Sequence, residues 1–401
     1  MGKGDLAIVG AADVPHGRFP DRSEYEIAYT VARAAVRDAG LKMTDIGAVV
    51  NGVHIMGSEY NTEVFFGLLP EAIGARNSQV FCTSVAGGGS TTACLKTAEG
   101  IIASGEADTV LVVHAQRFSQ FTPNEQIKYF AHAGANLEFE LPYGMTYNAV
   151  AAMIMNSYCE YTGTTIRQVA AHAVALRKWA ALTENAAFKK PITVDDVMNS
   201  KVVCAPLTAL MCNVLVDGGS AYVVTTAEKA RQVQRMAGIK PVYVLGHGSR
   251  FSHRNITKGV PDFRDMGRMH KFYEPACIEA YNQAGLGPKD MDMFEVYGAY
   301  PIVALAIMDS MGFVEPGRSG ALAESGETSP GGKFPVSTNG EAASFGHTGA
   351  GVGFAVTVDL VRQLQGKAGK AQVSNARFAI DNCGGGAFAD IHFTVYGTEV
   401  P

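Results

Sequence analysis

Apolar positions along the chain come in an order that repeats. Residues 6–9 form a short unbroken apolar run ending at Gly10, and the spacing of Ala28, Val31, Ala35 and Val36 then predicts a helix closing at Ala39-Gly40-Leu41. A second run of strand length follows at residues 48–53. In the second half of the chain, residues 242–245 lead to Gly246, a stripe through Ile278, Ala280 and Tyr281 closes at Ala284-Gly285-Leu286, and residues 293–297 form the next run. Ala39-Gly40-Leu41 with Asp45, and Ala284-Gly285-Leu286 with Asp290, stand at one common offset, so the pattern predicts an internal duplication. Each half goes on to a glycine-rich turn opening a helix: Gly87-Gly88-Gly89 before residues 90–103, and residues 346–353 before 354–364. A further strand follows each helix, at 109–113 and 377–381.

Strands alternating with helices require crossover connections, which predicts two layered α/β halves with mostly parallel sheet and helices on the faces. Two such halves can pack helix layer against helix layer. Residues 118–201 break the pattern: they are rich in aromatic, methionine and alanine residues, 167–182 is strongly helical, and the segment reads as a helical insertion capping the active site. The expected division is 1–117 with 202–235 as the first half, 118–201 as the insertion, and 236–401 as the second half. The composition, 47% apolar and 18% charged with 45 glycines in 401 residues, suits a well-buried α/β protein with many tight turns.

A net charge of −5 with scattered lysine and arginine gives no footprint for nucleic acid, so a phosphate-bearing ligand has to be held locally. No leader-like segment and no apolar stretch of about 18–20 residues is present, so a soluble cytoplasmic protein without a membrane span is expected. Seven cysteines without a C-x-x-C pair fit neither a disulfide framework nor a structural zinc site, and no metal is expected.

The repeat, together with His347 in Gly346-His347-Thr348-Gly349-Ala350-Gly351 and with Cys383-Gly384-Gly385-Gly386, resembles the thiolase superfamily, whose late motifs read GHPxG and CxGGG. Residues 193–230, with Ser200, Pro206-Leu207 and Asp217-Gly218-Gly219-Ser220-Ala221, resemble its branch of sterol-carrier-protein and lipid-transfer-type thiolases and their aldolase relatives. The resemblance covers nearly the whole chain. It implies the thiolase fold and chemistry on an acyl-CoA, with coenzyme A as substrate or product and no permanently bound cofactor. It also implies a homodimer through the sheet edges of the first half, and a separately encoded zinc-ribbon and OB-fold partner.

Two positions depart from the family. Its nucleophilic cysteine opens the first half's buried helix, and counting back by the family spacing from Gly105 lands on Gly88. Cys82 lies upstream at a strand end and Cys94 lies within the helix. Where thiolases carry an asparagine or histidine that positions an oxyanion-binding water, this chain has Tyr297. Aldolases of the branch resemble it in that tyrosine and in lacking the nucleophile, but they tend to replace the histidine that is retained here as His347.

A thiolase needs a thiolate, a base that generates it, and an acid that protonates carbon 2. The resemblance assigns the last two roles to His347 and Cys383, with Cys82 as provisional nucleophile. Gly384, Gly385, Gly386 and Gly88 are candidates for presenting amides to the thioester oxygen. Set against these roles are a turn histidine, a core thiol at Cys383 and a strand-packed thiol at Cys82. Cys94, Cys159, Cys204, Cys212 and Cys277 read as core, and Ser90 as a helix cap. Tyr297 and Tyr300 stand at a strand's carboxyl end, where parallel sheets bind ligands. Tyr297 is the functional candidate and Tyr300 equally suits packing. Arg250, His253 and Arg254 form a basic loop for CoA phosphates or a solvated surface.

Three functions follow, in this order. The first is a thiolase cleaving a 3-oxoacyl-CoA, or its reverse, on a bulky or aromatic acyl group suggested by residues 118–155. The second is a retro-aldolase on a 3-hydroxyacyl-CoA using Tyr297 and His347. The third is a non-catalytic acyl-CoA-binding scaffold subunit.

Overall fold

In the computed structural model, which describes residues 2–52, 62–132, 138, 140–251, 267–385 and 388–401, the apolar runs form strands and the stripes form helices. The strands are β1 (Leu6–Asp13), β2 (Ala48–Asn51), β3 (Val80–Thr83), β4 (Thr109–Gln116), β5 (Val202–Cys204), β6 (Leu207–Thr208), β7 (Gly218–Thr226), β8 (Val242–Phe251), β9 (Met293–Glu295), β10 (Phe378–Cys383) and β11 (Asp390–Gly397). The helices are α1 (Glu24–Asp38), α2 (Thr62–Ile73), α3 (Ser90–Ser104), α4 (Pro123–His132), α5 (Tyr147–Thr162), α6 (Ile166–Leu182), α7 (Val194–Met198), α8 (Ala227–Ala237), α9 (Met269–Ala284), α10 (Pro301–Met308), α11 (Ser319–Glu324) and α12 (Val352–Gln365). None of them is long and apolar enough to cross a membrane.

Apart from the β5–β6 ribbon, the described strands make one sheet in the order β3-β2-β4-β7-β1-β8-β11-β10-β9. The duplication is visible in it. In the first half β2 runs parallel to β3 and β4, while β7 is antiparallel to both β4 and β1. In the second half β10 runs parallel to β9, while β11 is antiparallel to both β10 and β8. The halves join where Ala7 and Ile8 of β1 face Tyr243 and Val242 of β8. The sheet is therefore mixed, where a mostly parallel one was expected. Alternating strands and helices signal crossovers but do not fix the direction of the closing strands. β7 arrives after residues 118–201, and β11 returns beside β10 as its antiparallel neighbour.

The repeated helix ends are built alike. Gly40 and Gly285 take the left-handed conformation, at φ 66° and 64°. Leu41 and Leu286 each donate an N–H back into the helix, to Val36 and Tyr281. Asp45 and Asp290 then accept the N–H of Lys42 and Gly287, both at 2.8 Å.

Gly10 and Gly246 are not strand ends, as the sequence suggested. β1 continues to Asp13 and β8 to Phe251, because these glycines let a helix approach the strand. A methyl group at Gly10 would meet the α1 backbone at Ala35 and Ala39, one at Gly246 the α9 backbone at Ala280 and Ala284, and one at Gly248 the carbonyl of Ala276.

On one side of the sheet, α3 and α12 bury Leu95, Ala98, Phe354, Val358 and Leu364 against Ile8, Val112, Tyr222 and Val244. The other side carries α1 and α9, and helices from residues 118–201 continue that core. Because α3 and α12 come from different halves, their glycine-rich starts meet: Gly353 lies against Thr91 and Cys383.

Two substitutions separate packing from propensity. Gly248→Ala is expected to lower the urea midpoint by an amount worth about 1–3 kcal/mol, through overlap with α9. Gly100→Ala, in α3 where a methyl group meets nothing within 4 Å, is expected to raise it by about 0.5–1 kcal/mol. Equal effects of the two would contradict the close helix approach.

Candidate active site

Past the end of β9, two buried side chains hold the backbone that carries Tyr297. Asn382 on β10 accepts the Tyr297 N–H at 3.0 Å and donates to the Tyr297 carbonyl at 3.2 Å, extending the sheet by one side-chain amide. Glu341 Oε1 accepts the N–H groups of Gly298 and Ala299 at 3.0 and 2.8 Å. These bonds hold Ala299 at φ 62°, and Glu341 itself sits at φ 51°, both unusual for residues with a side chain. Tyr300 follows, buried, with its hydroxyl donating to Asn148 Oδ1 on α5 at 2.7 Å.

His347 comes from the segment between the π-helical turn Glu341–Phe345 and α12. Its N–H donates to the Val214 carbonyl, its Nδ1 accepts the Gly349 N–H at 3.0 Å, and its Nε2 lies 3.2 Å from the Tyr297 hydroxyl. Phe130 of α4 meets the ring edge-on with centroids 5.8 Å apart. Burial lowers the His347 pKa to about 3, so the imidazole is neutral. With Nδ1 accepting, the single proton must be on Nε2 and is donated to the Tyr297 oxygen. Burial, with the Glu341 charge adding to it, holds the Tyr297 phenol well above its ordinary value. The phenol therefore keeps its proton, and its O–H is left to donate elsewhere.

The glycine turns of the two halves touch beside this pair. A side chain at Gly88 would collide with the Gly384 carbonyl and come within 3.1 Å of the Tyr297 ring, and a methyl at Gly385 would strike the Gly88 nitrogen. The Gly385 N–H donates to Asp390 Oδ1 at 2.9 Å. Gly386 lies outside the described residues.

Cys383 is buried beneath α12 with its sulfur 3.0 Å from Thr92 Oγ1, and burial pushes its thiol up to about 12. Cys82 is half-buried on β3, and burial raises its pKa too. Neither sulfur joins His347. Cys212, read from sequence as core, instead lines the cavity described below, because residues 209–215 run along its wall. Ser90 does not cap α3. Gly89 holds the cap position, and the Ser90 hydroxyl closes the preceding turn by donating to the Gly87 carbonyl and accepting the Ala86 N–H. Arg250 is at the surface, paired with Glu279 at 2.6 Å, while His253 and Arg254 lie outside the described residues.

Tyr297, Tyr300, His347, Gly88, Gly384 and Gly385 all open on one cavity of about 750 Å³. Its lining is also aromatic, with Phe118, Tyr129, Phe130, Tyr147 and Phe388, and Asn148, Asn213 and Asp390 supply polar atoms. The sequence reading named neither Glu341, Asn148, Asn382 nor Asp390. Asn382 and Asp390 flank the Cys383 turn, and that adjacency was the available signal.

Residues 252–398 match the family model described as Thiolase C-terminal domain-like. The chain is similar to an acetyl-CoA acetyltransferase of Methanothermobacter thermautotrophicus, 28% identical over 97% of this chain and 98% of the relative. It is also similar to the 17-hydroxy-3-oxo-4-pregnene-20-carboxyl-CoA lyase of Mycobacterium tuberculosis, 30% identical over 91% of this chain and 93% of the relative. Among solved structures, the Ltp2-ChsH2(DUF35) aldolase superposes with a TM-score of 0.83, covering 99% of this chain and 98% of its own at 24% identity.

Burial raises the Glu341 carboxyl to about 7. An unfolded glutamate loses its proton near pH 4.3, so between these values the folded state holds more protons, and the contribution falls as pH rises through about 7. His347 titrates with the opposite sign, so a single-site comparison isolates Glu341. In Glu341→Gln the amide oxygen of the replacement side chain can still accept both N–H groups. The difference in unfolding temperature, variant minus wild type, is expected to grow between about pH 5 and pH 8, and a flat difference would contradict this titration.

Proposed function

The chain belongs to the thiolase superfamily, among its sterol-carrier-protein-2-type members, and from that premise we propose that it is an aldolase of acyl-CoA thioesters. It splits a 3-hydroxyacyl-CoA between carbons 2 and 3 into a carbonyl compound and a shortened acyl-CoA, or joins the two. The observation that carries this reading is the contact of Gly88 with the Gly384 carbonyl beside a hydrogen-bonded Tyr297–His347 pair. A nucleophilic thiol has no room at Gly88, and Tyr297 borders that place.

Breaking the carbon–carbon bond leaves an electron pair on carbon 2 that spreads into the thioester as an enolate. A buried, neutral phenol suits that oxygen: the His347 Nε2–H fixes the Tyr297 oxygen, and the Tyr297 O–H donates to the developing charge. The aromatic wall supports a bulky, apolar acyl group. A separately encoded small partner is supported by the two-component name of the similar aldolase. Pairing of two copies is supported by Phe81 and Val85, exposed at the β3 end of the sheet.

A thiolase, cleaving a 3-oxoacyl-CoA with coenzyme A, is the second reading. It is favoured by the retained His347, by Cys212 in the cavity wall and by the similarity to an acetyltransferase.

The two are separated by incubating the protein, alone and with a co-expressed partner subunit, with 3-hydroxyacyl-CoA and 3-oxoacyl-CoA thioesters of bulky acids. Products and intact protein mass are read together. The aldolase reading expects shortened acyl-CoA from the 3-hydroxy compound without free coenzyme A, and no acyl mass on protein. Tyr297→Phe is expected to lower kcat by about 10²–10³-fold. Coenzyme-A-dependent cleavage of the 3-oxo compound with an acylated cysteine would establish the thiolase instead.

A further inference from the structure

Retro-aldol cleavage needs a base for the 3-hydroxyl as well as a donor for the enolate, and the Tyr297–His347 pair supplies the donor alone. His347 Nδ1 is engaged by the Gly349 N–H and Nε2 already carries its proton. Among the described residues lining the cavity there is one carboxylate, Asp390. It opens β11 just past the glycine turn and lies over the N-terminus of α3, where a methyl group at Gly89 would come within 3.0 Å of its Oδ2. The positive end of a fifteen-residue helix favours a negative charge there.

The carboxylate is held on both sides. Oδ1 accepts the Gly385 N–H at 2.9 Å, and Oδ2 lies 3.1 Å from His392 Nε2. His392 Nδ1 lies 2.9 Å from Ser249 Oγ, whose hydroxyl can donate to it and so leave the Nε2 proton for Asp390. Each carboxylate oxygen still has a lone pair beyond these bonds. Asp390 also shares a turn with Gly384, whose carbonyl touches Gly88 next to the Tyr297 ring. Donor and carboxylate therefore stand beside successive glycines of one turn, the Tyr297 ring at Gly88 and Asp390 Oδ2 at Gly89, and both residues line the cavity.

We propose that Asp390 is the general base of this site, an inference that rests on the aldolase reading. Its carboxylate takes the proton of the substrate's 3-hydroxyl. As the carbon 3 carbonyl forms, the bond between carbons 2 and 3 breaks and its electron pair becomes the thioester enolate held by Tyr297. The carboxylic acid then delivers the same proton to carbon 2, giving the shortened acyl-CoA and restoring the carboxylate. His392 is a positioning residue, acting through Asp390.

If Asp390 only anchors the turn, asparagine should serve as well, since an amide oxygen can accept the Gly385 N–H. In the full protein, with its partner if activity requires one, Asp390→Asn is expected to lower kcat for a 3-hydroxyacyl-CoA by about 10²–10⁴-fold. KM should stay within about threefold and the unfolding temperature should be unchanged. Added formate is expected to restore at least about tenfold of the lost rate to Asp390→Ala, by standing in for the missing carboxylate. If wild type cleaves the substrate and Asp390→Asn keeps its kcat within about threefold, the base assignment falls and the aldolase reading stands. Lost activity accompanied by a lowered unfolding temperature and no formate rescue would likewise reduce Asp390 to an anchor. If wild type cleaves only 3-oxoacyl-CoA and only with coenzyme A, both fall together.

Discussion

Two backbone turns, one from each half of a duplicated fold, are pressed together so closely that a side chain at Gly88 would strike the Gly384 carbonyl and one at Gly385 would strike the Gly88 nitrogen. This contact depends on the starts of α3 and α12 meeting on the same side of the sheet, with Gly353 packed on Thr91 and Cys383. It also determines what remains in reach of the cavity. The Gly384 carbonyl occupies the space that a side chain at Gly88 would need, and Tyr297, His347 and Asp390 are among the polar residues that line the cavity with it. Because two main chains are in contact, relaxation by a side-chain rotation is unavailable, and the arrangement is rigid for the same reason that it is glycine-rich.

Behind the contact lies a store of buried acids. Thr338 Oγ1 lies 2.7 Å from Glu295 and 2.5 Å from Asp359, and it also accepts from Gln363. One hydroxyl hydrogen cannot serve both carboxyls, so a proton must be held on one of the acids. Burial, with the Asp359 charge next, raises Glu295 well above its ordinary value, and Asp359 rises to about 6. Glu295 ends β9, two residues before Tyr297. The strand that delivers the phenol is therefore anchored by a network that tolerates little negative charge, and Glu341 on the other side of Tyr297 is of the same kind.

Much of the fold was legible because it rests on local chemistry. The left-handed Gly40 and Gly285, with Asp45 and Asp290 behind them, marked equivalent helix ends before any contact was known. The strand limits were misread where glycine served a helix across the sheet, a tertiary reason that no local pattern carries. In the site, the motif residues His347 and Tyr297 could be picked out singly, but their hydrogen bond spans 50 positions. Gly88 read as a missing cysteine, whereas the structure gives it a positive reason to be glycine. Asp390 carried in the sequence only its nearness to the Cys383 turn, and its place against the start of α3 is a tertiary contact that no local pattern holds.

The two ends of the sheet differ in a way that the duplication alone would not suggest. At β9 the segment past it is already seated: Phe294 donates to the Pro335 carbonyl and accepts the Ser337 N–H, so the outer backbone groups there are taken. At β3, among the described residues, no strand pairs with the outer side. Among the described residues, the chain therefore covers one end of its sheet with its own backbone and not the other. A sheet with two open edges offers two places for a further strand, whereas the seated segment beside β9 leaves this one, among its described residues, with an edge at β3 alone.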